Sequence, residues 1–228
     1  MEAAHLTSST ESIITVQALI KQFGRFAALR GIDAEFAPGK LYAVLGDNGA
    51  GKTSLLRTLA GLSQPTRGNV TVFGSTDLSS ICHRIGYMAH PSLVYDEMSG
   101  MENLCFFAQL YGIQEEEPCI RAMEIVHLDP KLSRPAGQYS QGMRQRLSLA
   151  RALVHGPELL LLDEPFSNVD ARSAQEMVRL LAGLRDAGKT IFVVTHQAAL
   201  LEKAADEFLY MEAGRITRRA QNLTETTV

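Results

Sequence analysis

The sequence is short of cysteine, of positive charge in excess and of long apolar runs, and each shortage closes off a class of protein. Its three cysteines, Cys82, Cys105 and Cys119, form no Cys-x-x-Cys pair and are odd in number. That argues against a disulfide framework and fits a reducing compartment such as the cytoplasm. A formal net charge of -3 leaves no basic surplus for a nucleic-acid backbone or an anionic membrane surface. The greasiest stretch, 159–162, ends at once in Asp163-Glu164, far short of the ~20 apolar residues that cross a bilayer. Direct transmembrane insertion is therefore not expected, and any membrane part must come from another chain. No Cys/His/carboxylate spacing of a structural zinc site occurs, nor any internal repeat. Residues 1–12 are polar and Ser/Thr-rich, with neither a basic nor an apolar leader segment, and are expected to be a flexible N-terminal tail.

What is present reads as one domain. The chain has 228 residues, 46% of them hydrophobic, enough for a sizeable single core. Apolar runs between turn residues predict strands at 13–16, 32–36, 41–45, 70–73, 85–88, 159–162, 191–194 and 208–211. Helical spacing predicts helices at 52–60, 101–111, 119–127, 142–154 and 172–187. Their alternation indicates an α/β sheet. From about 91 to 155 helical segments follow one another without a strand, so a helical subdomain is expected there, inserted in a domain spanning 13–216. Residues 217–228 are expected to be a C-terminal tail.

The most specific motif is Gly46-Asp47-Asn48-Gly49-Ala50-Gly51-Lys52-Thr53, followed by Ser54. It follows a predicted strand and opens a predicted helix, the context of a Walker A phosphate loop. Its glycines let successive N–H groups turn toward phosphate oxygens, with the positive end of the helix behind them. Lys52 is expected to reach the β- and γ-phosphates of ATP, and the Thr53 hydroxyl to ligate Mg²⁺. The fold implied is a P-loop NTPase core of α/β class.

Asp163 and Glu164 emerge at the carboxyl end of an apolar strand, where open α/β sheets bind ligands. Asp163 is a candidate for holding Mg²⁺, and Glu164 for polarising the attacking water. His196 leaves a second apolar strand on the same edge and is a candidate sensor of the γ-phosphate. Mg²⁺ carried by the nucleotide is the only metal expected.

Tyr139-Ser140-Gln141-Gly142-Met143-Arg144-Gln145-Arg146, ahead of a predicted helix, resembles the signature of the ABC ATPases, commonly Leu-Ser-Gly-Gly-Gln. Tyr139, Gln141 and Met143 depart from it, while Ser140 and Gly142 are kept. Ser140 and the Gly142 amide form a second anion site at a helix N-terminus. The resemblance runs from Ile14 to Ile216. It implies that Phe23 stacks on adenine, that Ser167-Asn168-Val169-Asp170 is the D-loop, and that His196 is the switch histidine. It also implies a head-to-tail homodimer in which Ser140, Gly142, Met143 and Asp170 serve the partner's nucleotide. A membrane-spanning transporter subunit is implied too, with this chain peripheral on the cytoplasmic face of the cell membrane.

Where ABC ATPases usually carry a glutamine, this chain reads Gly86-Tyr87-Met88-Ala89-His90-Pro91. An imidazole nitrogen is a poor magnesium ligand, so His90 is expected to sense the attacking water or contact the membrane subunit. With Glu102-Asn103-Leu104, Asp163-Glu164-Pro165-Phe166 and Thr195-His196-Gln197, this stretch is similar to the ATPase subunit of the haem exporter of cytochrome c maturation. Alternatives are the ATPase of a drug or polysaccharide exporter, and a non-transport ABC ATPase. A P-loop GTPase is disfavoured by the absence of Asn-Lys-x-Asp.

Overall fold

The computed structural model describes residues 12–90 and 92–223. Three strands occupy its centre: β3 (Leu41–Leu45), β6 (Leu159–Asp163) and β7 (Thr190–Val194), every residue of them buried. Runs as apolar as LYAVL, LLLLD and TIFVV are what a parallel sheet covered on both faces demands. Together with β5 (Ile85–Met88), β8 (Glu207–Glu212) and β9 (Arg215–Ala220) they form a six-stranded sheet in the order β5-β6-β7-β3-β8-β9. Only the β8–β9 pair is antiparallel.

Successive residues of these strands enter opposite cores, as the pleat requires. Tyr42, Val44, Leu159, Leu161, Phe192 and Val194 face one cluster. It is closed by α1 (Lys52–Leu59) and by a three-stranded antiparallel sheet of β1 (Ile14–Phe23), β2 (Phe26–Phe36) and β4 (Arg67–Val72), ordered β2-β1-β4. Leu41, Ala43, Leu160, Leu162, Ile191 and Val193 face the other cluster. Packed there are α2 (Gly100–Leu110), α3 (Glu117–Ile125), α4 (Gln141–Leu153) and α5 (Ala171–Asp186). Between β5 and β6 the described residues contain α2, α3 and α4 and no strand.

The structure corrects three expectations. Strand β9 runs to Ala220, inside the segment expected to be a tail. Its sequence RITRRA has no apolar run because it is an edge strand, held by backbone pairing to β8 and by Arg219 on Glu207. Strand β1 continues seven residues past the expected end at 16, because a bulge with Ala18 at φ 47° breaks the alternation that marks a strand. Strand β2 begins at Phe26 and makes a hairpin with β1 across Gly24-Arg25. The expected N-terminal tail lies outside the described residues, apart from Ser12.

Asn103 organises the loop that leads into α2. It is buried, its amide donates to Tyr95 O (3.0 Å), Met98 O (3.3 Å) and Ser99 O (2.9 Å), and its Oδ1 accepts from Tyr95 N (2.8 Å). Asn103→Leu keeps the volume but leaves those backbone groups unpaired, a loss of about 1–3 kcal/mol. For a chain of this size, thermal unfolding should give a Tm lower by roughly 2–12 °C; an unchanged Tm contradicts the assignment.

Candidate nucleotide site

Because β6, β7 and β3 are neighbours and parallel, the loops leaving their carboxyl ends meet along one edge. They enclose a cleft of about 570 Å³ lined by residues 48–54, Asp163, Glu164, His196, His90 and Phe26, among others. The phosphate loop fills the β3 end. Gly46 has φ 145°, and a Cβ there would lie 2.2 Å from Met211 O; Gly51 has φ 102°, and a Cβ there would lie 2.5 Å from Ala28 O. Only glycine fits either place. The loop ends on the first turn of α1, whose free N–H groups and helix dipole face the cleft.

Lys52 is buried and its ammonium donates to Gly46 O (2.6 Å) and Asp47 O (2.9 Å) across the loop. Burial pulls its pKa down, opposed by Glu164, Asp163 and Asp47. The Thr53 hydroxyl donates to Asp163 Oδ1 at 3.1 Å. Burial raises the Asp163 carboxyl, opposed by that hydrogen bond. Two oxygen donors this close, beside an anion cradle, match the hard-ligand chemistry of Mg²⁺. No group of three or more His, Cys, Asp or Glu suited to a metal exists among the described residues.

Glu164 sits at φ 54°, a left-handed conformation that costs a non-glycine residue of order 1–3 kcal/mol. Its amide donates to Val194 O at 2.9 Å, which ties it to the end of β7. Its Oε1 is buried with no hydrogen bond, although His196 Nε2 lies 3.3 Å away out of line. Burial raises the carboxyl, with His196 opposing. A carboxylate held in a strained backbone with an unused acceptor is suited to take a proton from a water.

His90 is exposed at the cleft, its Nδ1 3.4 Å from Ser167 Oγ, and that hydroxyl donates to Glu164 O at 2.8 Å. Beyond Pro91 the chain is pinned to α4 by residues one turn apart. Arg144 pairs with Asp96 at 2.7 Å, the Ser148 hydroxyl donates to Ser92 O at 3.1 Å, and Arg151 donates to Leu93 O at 3.1 Å.

The two phenylalanines flanking the β1–β2 turn are placed differently. Phe23 does not border the cleft; its ring is exposed under the Lys21 ammonium, 4.9 Å from the ring centre. Its cross-strand partner Phe26 lines the cleft, together with Ala28 on the same face of β2. Sequence reasoning missed Phe26 because it missed the hairpin; period-two spacing from Ala28 was the available signal. Ser140, Gly142, Met143 and Asp170 lie outside the cleft, at the N-termini of α4 and α5. The Ser140 side chain accepts from Met143 N (3.2 Å) and that of Asp170 from Ser173 N (3.0 Å).

Comparison with known proteins decides the family. The sequence model described as "ABC transporter" matches residues 29–167. The chain is 34% identical over 209 residues to the bacitracin transport ATP-binding protein BcrA of Bacillus licheniformis, covering 90% of this chain and 68% of that one. The chain belongs to the ABC transporter family. It is the ATP-binding subunit of an ABC transporter, and an ATPase. The sulfate/thiosulfate import ATP-binding protein CysA of Bradyrhizobium diazoefficiens is 37% identical over 213 residues, 89% of this ABC subunit and 62% of that protein. A solved ATP-binding cassette, described as dimeric, post-hydrolysis and bound to ADP and Pi, has the same fold. Its TM-score is 0.83 at 22% identity, over 91% of this chain and 98% of that one. No helix among the described residues of this ABC subunit is long and apolar enough to cross a membrane.

Lys52→Ala should abolish ATP binding in equilibrium titration. Glu164→Gln should keep binding while phosphate release falls by roughly 10²–10⁴-fold; normal turnover contradicts the role of Glu164. The same variant has a pH signature. Because the folded carboxyl is raised, it favours folding below its ordinary 4.5, and that advantage is lost as pH rises through the folded value. Glu164→Gln should therefore raise Tm near neutral pH, with a gain that shrinks on acidification toward 4.5.

Proposed function

We propose that two copies of this subunit pack head to tail around ATP and that hydrolysis there drives a separate membrane-spanning subunit from its cytoplasmic face. The observation that carries this reading is the split between two anion-binding places. The phosphate loop, Asp163, Glu164 and His196 share one cleft, while exposed Ser140 and half-buried Gly142, at the N-terminus of α4, lie outside it. Beyond the Met143 amide taken by Ser140, the remaining N–H groups and dipole of this helix start are suited to the γ-phosphate of a facing copy.

In this reading the loop amides and Lys52 hold the phosphates, and Thr53 and Asp163 hold Mg²⁺, which would neutralise charge building on the phosphate oxygens. Glu164 takes the proton of the attacking water. His196 steadies the transferring group from the next strand, and His90, through Ser167, reports on the same point. Phe26 offers its ring to the base. Beside this cleft runs an apolar groove of about 470 Å³ that shares Arg57, Tyr87 and Ala89 with it and exposes Leu62, Leu93 and Leu110. A shared wall lets nucleotide state bear on whatever docks in the groove, and the membrane subunit is the proposed occupant.

For cargo, the stretch around His90 supports haem export for cytochrome c maturation. A second reading, a drug exporter, is favoured by the 34% identity to a bacitracin transport protein. Deleting the gene separates them. Loss of holo-cytochrome c with unchanged antibiotic tolerance supports haem; lost tolerance with normal cytochromes supports the drug reading.

Ser140→Arg should leave nucleotide binding near normal and stop turnover. Mixed with Lys52→Ala chains it should regain activity, since each mixed dimer holds one intact composite site. Silence of that mixture, where parent/Lys52→Ala dimers turn over, overturns the sandwich.

A further inference from the structure

Two of the residues that depart from the family signature, Tyr139 and Met143, are joined in the structure. Tyr139 is 6% exposed, and its hydroxyl accepts from the Gly100 amide at 3.2 Å. Gly100 opens α2, so this amide is one of the donors a helix leaves unpaired at its start. The Ser99 hydroxyl takes only the Glu102 amide. A leucine at 139 offers no acceptor, and the Gly100 N–H would then be buried without one. A Cβ at Gly100 would come 2.9 Å from the Tyr139 oxygen, so a glycine there makes room for the contact. On the outer side Arg134 lies over the Tyr139 ring, 5.5 Å from its centre, and donates to Met143 Sδ at 3.2 Å. The loop between is stitched to the segment that follows His90: Gly137 N donates to Asp96 O (2.9 Å) and Ala136 N to Met98 O (2.8 Å).

We propose that Tyr139, Arg134 and Met143 are positioning residues that brace the Ser140 loop on the start of α2, so that Ser140 is presented to the partner's γ-phosphate as the segment after His90 moves. This deepens the head-to-tail reading and rests on it. The brace acts in trans, on the other chain's nucleotide.

The test is Tyr139→Phe in the purified full-length chain, with Mg²⁺-ATP as probe and phosphate release as readout. The variant strands a buried amide, so Tm should fall by roughly 2–12 °C, while kcat should fall about three- to tenfold with KM changed less than about twofold. In mixed dimers with Lys52→Ala, the one live site pairs the variant's phosphate loop with an unaltered Ser140 loop. Turnover there should match that of parent/Lys52→Ala dimers. Parental kcat in Tyr139→Phe, or a deficit that persists in the mixed dimers, overturns the proposal. If the Ser140→Arg mixture is active and Tyr139→Phe behaves as parent, this inference alone has failed; if the Ser140→Arg mixture is silent, the sandwich itself has. Arg134→Ala, at an exposed position, repeats the test should Tyr139→Phe not fold; it should show a smaller deficit, again removed in mixed dimers, and an unchanged kcat removes Arg134 from the brace.

Discussion

The adjacency of β6, β7 and β3 is the constraint on which the site depends. These strands are buried on both faces and run parallel, so their carboxyl ends lie side by side. An anion cradle, a pair of carboxylates and a histidine leave those ends and have nowhere to go but the same cleft. Parallel pairing places chemistry from residues 46–54, 163–164 and 196 within reach without any of them being close in sequence. It also explains why the strands carry almost no polar residue until their last position: Asp163 ends β6 and is already part of the site.

That site is held in a tense state. Lys52 donates to the carbonyls of its own loop, Glu164 keeps a left-handed backbone and an unused buried oxygen, and burial pushes Asp163 and Glu164 toward neutrality against nearby cations. The Glu164 backbone and its unpaired oxygen cost free energy in the protein alone, and a water held at that oxygen would offset part of it. Strain and unmet hydrogen-bonding capacity concentrate where ligand binding compensates them. The loop before α2 shows the opposite habit. Asn103 and Glu102 pair with the backbone of Tyr95, Met98 and Ser99, and Arg144 holds the Asp96 carboxylate.

The helical segment between β5 and β6 connects the cleft to its surroundings through α4. At one end of that helix sits Ser140; along its side, Arg144, Ser148 and Arg151 grip the chain that leaves His90. Contiguous hydrogen bonds thus join the chain after Ser92 to the helix that carries Ser140 and to the wall of the apolar groove.

The sequence by itself determined the phosphate loop, the two carboxylates, His196 and the existence of a helix at Gly142. Each is a local pattern whose chemistry follows from residue type and from the neighbouring strand or helix. It determined the buried strands for the same reason, because a run such as Leu159 to Leu162 has no other stable place. The tertiary structure alone decided what depends on pairing between distant segments. The hairpin that puts Phe26 rather than Phe23 on the cleft wall is set by the register of β1 on β2, and the polar edge strand β9 by its backbone bonds to β8. Likewise the contact of Tyr139 with Gly100 joins residues thirty-nine positions apart, and the separation of Ser140 from its own chain's cleft is a matter of where α4 packs. No local pattern encodes these, because hydrogen bonds between remote backbone groups carry no signature in residue type.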